Sequence, residues 1–225
     1  ETPMQHLIHN TIQYNLATPV DFDPTKKYPL IIYLHGAGGR GHDLELPRYP
    51  YMMEEYIHKN DIPAMVAGPL CEFDNWFMCF SELIQFVRFA STMDNVDPDR
   101  VYLMGSSMGG YATWAMLMST PELFAAAVPI CGGGMAWNAG RIKNVPVWAF
   151  HGANDAVVFP EESQKMVDAV NKSGGNAKLT IYPQCDHDSW SNTYSNPEVF
   201  AWLLEHKRAE TFEQKDQYNN SRKFG

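Results

Sequence analysis

The segment Val101-Tyr102-Leu103-Met104-Gly105-Ser106-Ser107-Met108-Gly109-Gly110-Tyr111-Ala112-Thr113-Trp114-Ala115-Met116-Leu117-Met118 decides how the chain is read. A short apolar run, a Gly-x-Ser-x-Gly turn and an apolar helical stretch stand side by side, the pattern of a nucleophile elbow. Such a turn holds its central residue in a strained conformation and pushes the hydroxyl out of the fold. Glycines two before and two after leave no Cβ to collide with the neighbouring strand and helix. Ser107 is the candidate nucleophile. The next backbone N–H, that of Met108, opens the helix and can stabilise a developing oxyanion.

Outward from this segment, strands and helices alternate. Residues 30–34, Leu-Ile-Ile-Tyr-Leu, are a continuous apolar run of the kind buried on both faces of a parallel sheet. Further strands are expected at 64–67, 125–130, 145–150 and 178–182, and helices at 51–59, 82–93, 161–171 and 197–207. Residues 7–17 read as one antiparallel edge strand, 21–29 as a turn-rich connection, and 97–100 (Asp-Pro-Asp-Arg) as a stop before the nucleophile strand. Alternation over nearly the whole length implies a mostly parallel sheet covered by helices on both faces. A single domain over 1–207 is expected, with a polar tail over 208–225.

In such a sheet, sites form where loops leave the C-terminal strand ends. Four of the expected loops carry chemistry. One is His35-Gly36-Ala37-Gly38-Gly39, where Gly36 and Gly38 let backbone N–H groups turn towards a substrate and the N–H of Ala37 would pair with that of Met108. His35 reads as a brace for this loop rather than an acid or base. The second loop carries Ser107. The third is His151-Gly152-Ala153-Asn154-Asp155, and the last is Cys185-Asp186-His187-Asp188-Ser189-Trp190. The order Ser107, Asp155, His187 is that of an α/β-hydrolase triad. A serine hydroxyl needs an adjacent base, neutral imidazole can take its proton and return it to a leaving group, and a carboxylate fixes the tautomer.

Each assignment has a rival. Asp186 and Asp188 neighbour His187, although adjacent residues seldom curl back onto the same ring. His151 could serve as base, although it ends a buried strand. Trp76 could wall a substrate pocket or fill the core, and Trp137 and Trp190 pose the same choice. His6, His9, His42, His58 and His206 lack a chemical context. The methionines at 104, 108, 116 and 118 read as core filler.

The 225 residues suffice for one well-buried core. A net charge of −9 and a pI near 5.3 argue against a nucleic-acid partner. No apolar run reaches the roughly 18 residues of a membrane span. No pattern suggests a metal or another cofactor. The first residue is Glu1, as in a processed or trimmed chain. Cys71, Cys79, Cys131 and Cys185 suit free thiols in a reducing compartment, with a Cys71–Cys79 bridge open to an exported protein.

With Lys27-Tyr28-Pro29-Leu30, the His35–Gly39 loop, Asn75-Trp76, Gly105–Gly110, His151–Asp155 and Asp186-His187 in hand, the chain resembles a known group. It is similar to the compact esterases of the α/β-hydrolase superfamily, the carboxylesterase/phospholipase-like and feruloyl-esterase-like enzymes grouped with prolyl-oligopeptidase-like peptidases. The resemblance runs from about residue 7 to residue 207. It implies an α/β-hydrolase fold with an eight-strand-type sheet and a minimal cap. By the same match, Ser107, Asp155 and His187 would hydrolyse carboxylic esters through an acyl-enzyme, with Ala37 and Met108 as oxyanion donors. No propeller domain and no long lid are visible, which favours small or exposed esters over peptides. A serine peptidase or amidase with the same triad is the second expectation, and a non-catalytic binding protein of this fold the third. A dienelactone-hydrolase reading would want Cys at position 107.

Overall fold

A computed structural model describes residues 5–42 and 48–208. In chain order the strands and helices are β1 (Gln5–His9), β2 (Ile12–Ala17), β3 (Tyr28–Leu34), α1 (Arg48–Lys59), β4 (Met65–Pro69), α2 (Phe80–Ala90), β5 (Val96–Ser106), α3 (Met108–Ser119), β6 (Ala126–Ile130), β7 (Val147–Gly152), α4 (Glu161–Lys172), β8 (Ala177–Tyr182), α5 (Ser189–Tyr194) and α6 (Pro197–Glu205). All eight strands join one sheet in the order β1-β2-β4-β3-β5-β6-β7-β8. Only β1 with β2 and β2 with β4 pair antiparallel; every later pairing is parallel. This is the α/β-hydrolase fold, as the alternation of elements implied.

The apolar strand runs follow from two-sided burial. Along β3, Leu30, Ile32 and Leu34 face one core layer with α2, α3 and α4, while Ile31 and Tyr33 face the other with α1, α5 and α6. Helix α3 lies against the sheet centre and buries almost every residue, which explains why its apolar positions show no one-sided stripe. Register aligns the strand ends: Leu34 pairs with Gly105, Ser106 with Ile130, Ile130 with Phe150 and Gly152 with Tyr182. The four chemical loops therefore leave from one edge.

Three expectations need correction. The single edge strand over 7–17 is two strands, because Asn10 adopts φ 52° and turns the chain into a hairpin. Residues 97–100 do not stop the connection but begin β5, whose start pairs with Tyr28 before the register shifts. The last loop is interrupted by α5, capped by Asp188, whose carboxylate accepts from the Ser191 N–H at 3.0 Å. The expected tail lies beyond the described residues except for Arg208, which is tied down: its guanidinium reaches Asp99 at 2.9 Å and its N–H donates to the Asp99 carbonyl.

Candidate active site

Ser107 stands between β5 and α3 with φ 55° and ψ −118°, the strained geometry its motif implied. The flanking glycines are required by close approach. A Cβ on Gly105 would come within 2.5 Å of the Thr113 hydroxyl, and one on Gly109 within 2.7 Å of the His35 carbonyl oxygen. The elbow is thus wedged between its own helix and the end of β3.

His187 Nε2 lies 2.9 Å from Ser107 Oγ, and its Nδ1 lies 2.7 Å from Asp155 Oδ2. Three loops deliver these groups. The side chain of Asp155 is fully buried, while that of His187 keeps 21% of its surface exposed. With Nδ1–H donating to the carboxylate, Nε2 is left to accept the Ser107 hydroxyl proton. Asp155 Oδ1 accepts the N–H groups of Val157 and Val158, both at 2.9 Å. Burial pushes the Asp155 carboxyl up, but the His187 imidazole and the Val158 and Val157 N–H groups outweigh it and hold the group below its usual range. It is ionised at neutral pH.

Neither rival carboxylate is placed for this role. Asp188 caps α5, and the side chain of Asp186 is exposed, its backbone carbonyl packing against Gly152. His151 is not a base beside Ser107 but a fully buried neighbour of Asp155. Its Nε2–H points at the Val158 carbonyl (2.8 Å) and Asp155 Oδ2 (3.2 Å), and Nδ1 meets Ser163 Oγ at 2.7 Å. This second imidazole on the carboxylate escaped the sequence reading; the only trace of it was a histidine four residues before the aspartate.

On the other side of Ser107, the chain after β3 forms a 3-10 turn over Ala37–Gly39. Ala37 and Gly38 are exposed, and Gly36 is packed so closely that a Cβ would lie 3.4 Å from that of Ser107. Among the described residues neither the Ala37 N–H nor the Met108 N–H meets a backbone acceptor. His35 braces the turn. Its Nδ1–H donates to the Gly36 carbonyl at 2.7 Å, and Nε2 accepts the Cys71 N–H at 3.0 Å. Burial pushes this imidazole down to about 4, so it is neutral.

Trp76 does not wall a pocket. Its side chain is 0% exposed, and its indole N–H donates to the His35 carbonyl at 3.0 Å, so it holds the turn from behind. Trp190 meets the His187 ring edge-on at 5.3 Å. Trp137 is 83% exposed. The remaining histidines with described side chains serve packing or capping: His9 stacks on Phe89, His58 meets the Thr18 carbonyl, His42 pairs with Glu72 and His206 meets the Trp202 carbonyl. Cys71, Cys79, Cys131 and Cys185 are buried free thiols.

The model of the prolyl oligopeptidase family matches this chain over residues 73–139 and 135–209, a stretch that holds the nucleophile elbow, Asp155 and His187. The chain belongs to that family. A solved thermostable esterase is 34% identical, covers 91% of this chain and 63% of its own, and superposes with a TM-score of 0.80. Est1E from Butyrivibrio proteoclasticus, at 18% identity, shares the fold over 90% of this chain and 98% of its own with a TM-score of 0.70. A bifunctional acetylxylan esterase/xylanase of Neocallimastix patriciarum is 29% identical over 110 residues, 41% of this chain and 16% of that one. The chain thus spans under a fifth of that relative and under two thirds of the thermostable esterase. Among the described residues no helix is long and apolar enough to cross a membrane.

Proposed function

We propose that this chain is a serine hydrolase that cleaves carboxylic esters of short-chain or aryl, feruloyl-type acids through an acyl-enzyme. The observation that carries the proposal is the unbroken line Ser107 Oγ, His187, Asp155, with contacts of 2.9 and 2.7 Å. His187 Nε2 takes the Ser107 proton as Oγ attacks the acyl carbon, and the imidazolium that forms is stabilised by ionised Asp155. The N–H groups of Ala37 and Met108 receive the oxyanion; one such donor is typically worth about 2.7–4 kcal/mol of barrier. His187 then protonates the departing alkoxide, and water attacks the acyl-enzyme by the same route in reverse.

The acyl preference rests on the rim. Of the ten large apolar side chains exposed among the described residues, seven belong to segments following β4, β6 and β7, including Phe77, Met135, Trp137, Val157 and Phe159. These segments leave the sheet edge that carries Ser107, and an apolar mouth built from them would suit an aromatic acid. The resemblance to the thermostable esterase and the partial match to the acetylxylan esterase/xylanase favour ester over amide. The family's name also covers peptidases, so amide cleavage by the same three groups is the second reading. It demands more of His187, because an amine leaves poorly without a proton.

Parallel assays on p-nitrophenyl acetate, methyl ferulate and a chromogenic peptide decide between these readings, with a fluorophosphonate probe reporting the nucleophile. Both esters are expected to turn over and the probe to label the wild-type chain but not Ser107→Ala. Labelling that survives this substitution, or turnover of the peptide alone, would sink the esterase reading.

A further inference from the structure

Cys131 takes no part in the proposed reaction, yet it stands beside the groups that do. A ligand atom from each of Cys131, Asp155 and His187 lies within 4.8 Å of the other two, an arrangement found in this one place among the described residues. Cys131 directly follows β6, fully buried, and the fully buried Ser189 hydroxyl faces its sulfur. Its backbone is strained: Cys131 holds φ 40°, in the region that favours glycine, immediately before Gly132, Gly133 and Gly134. A glycine at 131 would relieve that strain, but the sulfur would go with it.

The geometry points to an inhibitory site for a borderline-soft divalent cation of the zinc type, held by Cys131 Sγ, an Asp155 carboxylate oxygen and His187 Nδ1. Tetrahedral zinc with bonds of about 2.0–2.3 Å sets its ligand atoms roughly 3.3–3.7 Å apart, so no pair need close by more than about 1.5 Å, while His187 Nδ1 and Asp155 Oδ2, now 2.7 Å apart, open slightly as the cation replaces the proton between them. The charges balance in a dry setting: a thiolate and a carboxylate neutralise the dication, and the imidazole contributes a neutral donor. Binding releases one proton to solvent, that of the thiol. The fourth position falls to water, because Ser107 Oγ lies on the opposite side of the ring, 2.9 Å from Nε2. The part-exposed ring edge of His187 is the way in, since the other two side chains are buried. Outer support is in place, because Asp155 Oδ1 is held by two backbone N–H groups.

Occupancy silences the base through Nδ1, the nitrogen that faces Asp155. A cation on Nδ1 drives the ring proton to Nε2, which then donates to Ser107 instead of accepting. The binding claim stands on geometry; the inhibition rests on the role proposed for His187, and the test keeps the two apart.

Binding is read without turnover by titrating chelator-treated protein with Co²⁺ and following the thiolate-to-cobalt charge-transfer absorption, and by calorimetry with Zn²⁺. One cation per chain is expected in the wild type and in Ser107→Ala. In Cys131→Ser the band is expected to vanish, and Zn²⁺ affinity to fall by more than the roughly 10–100-fold that an outer-shell partner alone is worth. That variant also separates the site from the buried thiols of Cys71, Cys79 and Cys185. Should Cys131→Ser fold poorly by circular dichroism, His187→Gln supplies the same loss of affinity from the exposed side. In the ester assay Zn²⁺ is expected to inhibit the wild type reversibly, with recovery on adding chelator, and to leave Cys131→Ser active. A band of undiminished strength in Cys131→Ser, or no band in the wild type, overturns the site. Stoichiometric binding in a chain that hydrolyses no ester would leave the site standing and count against the proposed function.

Discussion

The chain writes His-Gly-Ala twice, at residues 35–37 after β3 and at 151–153 where β7 ends, and uses it for two opposite purposes. Both histidines are buried and both anchor a loop at the same sheet edge. The first keeps hydrogen bonds unmade. With His35 joining the Gly36 carbonyl to the Cys71 N–H, and Trp76 bonded to the His35 carbonyl, the turn is fixed while Ala37 stays exposed. The second has its donors already engaged. His187 donates to one oxygen of Asp155, Val157 and Val158 donate to the other, and His151 Nε2 stands 3.2 Å from the first while bonded to the Val158 carbonyl. A developing anion needs donors in reserve, whereas a permanent buried anion needs every acceptor satisfied.

The comparison can be broken most sharply on the filled side. Asp155→Asn keeps the shape but turns one oxygen of the carboxylate into a donor. Turnover of p-nitrophenyl acetate is expected to fall by roughly 10⁴-fold, as in the comparable protease substitution, with the melting temperature little changed. A loss under tenfold would mean that the carboxylate does not set the imidazole tautomer.

Acid separates the two sides by pH window. His35 titrates at about 4 in the folded chain against 6.5 for a free imidazole. The unfolded chain therefore takes up that proton first as pH falls. The stabilisation is complete above about 6.5 and disappears between about 6.5 and 4, of order 3 kcal/mol in all. Asp155 is held below 3.8, so its contribution persists above that value and is lost only on further acidification. Urea unfolding at pH 7 and 4.5 checks this: the loss is expected in the wild type and is expected to flatten in His35→Gln. An equal loss in both chains would remove His35 as its source.

Trp76→Phe tests the reserved side more gently. Deleting one donor to a buried carbonyl is expected to lower stability by about 1–3 kcal/mol. Fluorophosphonate labelling should persist, since the Ser107–His187–Asp155 line is untouched. The smallest effect is expected at the rim. Trp137→Ala should raise KM for methyl ferulate a few-fold and leave p-nitrophenyl acetate unaltered; equal shifts for both would detach the aromatic preference from that side chain.

Much of this was legible in the residues because local rules and global packing agree there. Gly105 and Gly109 bracket a strained serine in the sequence, and the structure supplies the carbonyls and the hydroxyl that make those glycines necessary. The order of strands and helices followed from runs such as Leu30–Leu34. What stayed hidden depends on contacts between distant segments. Nothing near Trp76 says that its indole turns inward to the His35 carbonyl, 41 residues earlier. Nor does the hairpin at Asn10 show in an apolar pattern that continues across it. Cys131 looked like an ordinary core thiol, because its nearness to Asp155 and His187 arises only once β6, β7 and β8 lie side by side.

Among the described residues strand β8 is the outermost of its flank and pairs only with β7, and the loop bearing His187 hangs from its end. Ser107, by contrast, follows the end of β5, which has a parallel neighbour on each side. Margins of a sheet open at lower free energy than its centre. On warming, hydrolysis should therefore fade before bulk melting begins, as the imidazole drifts from a serine that is still in place, so residual activity becomes a thermometer for one border of the molecule.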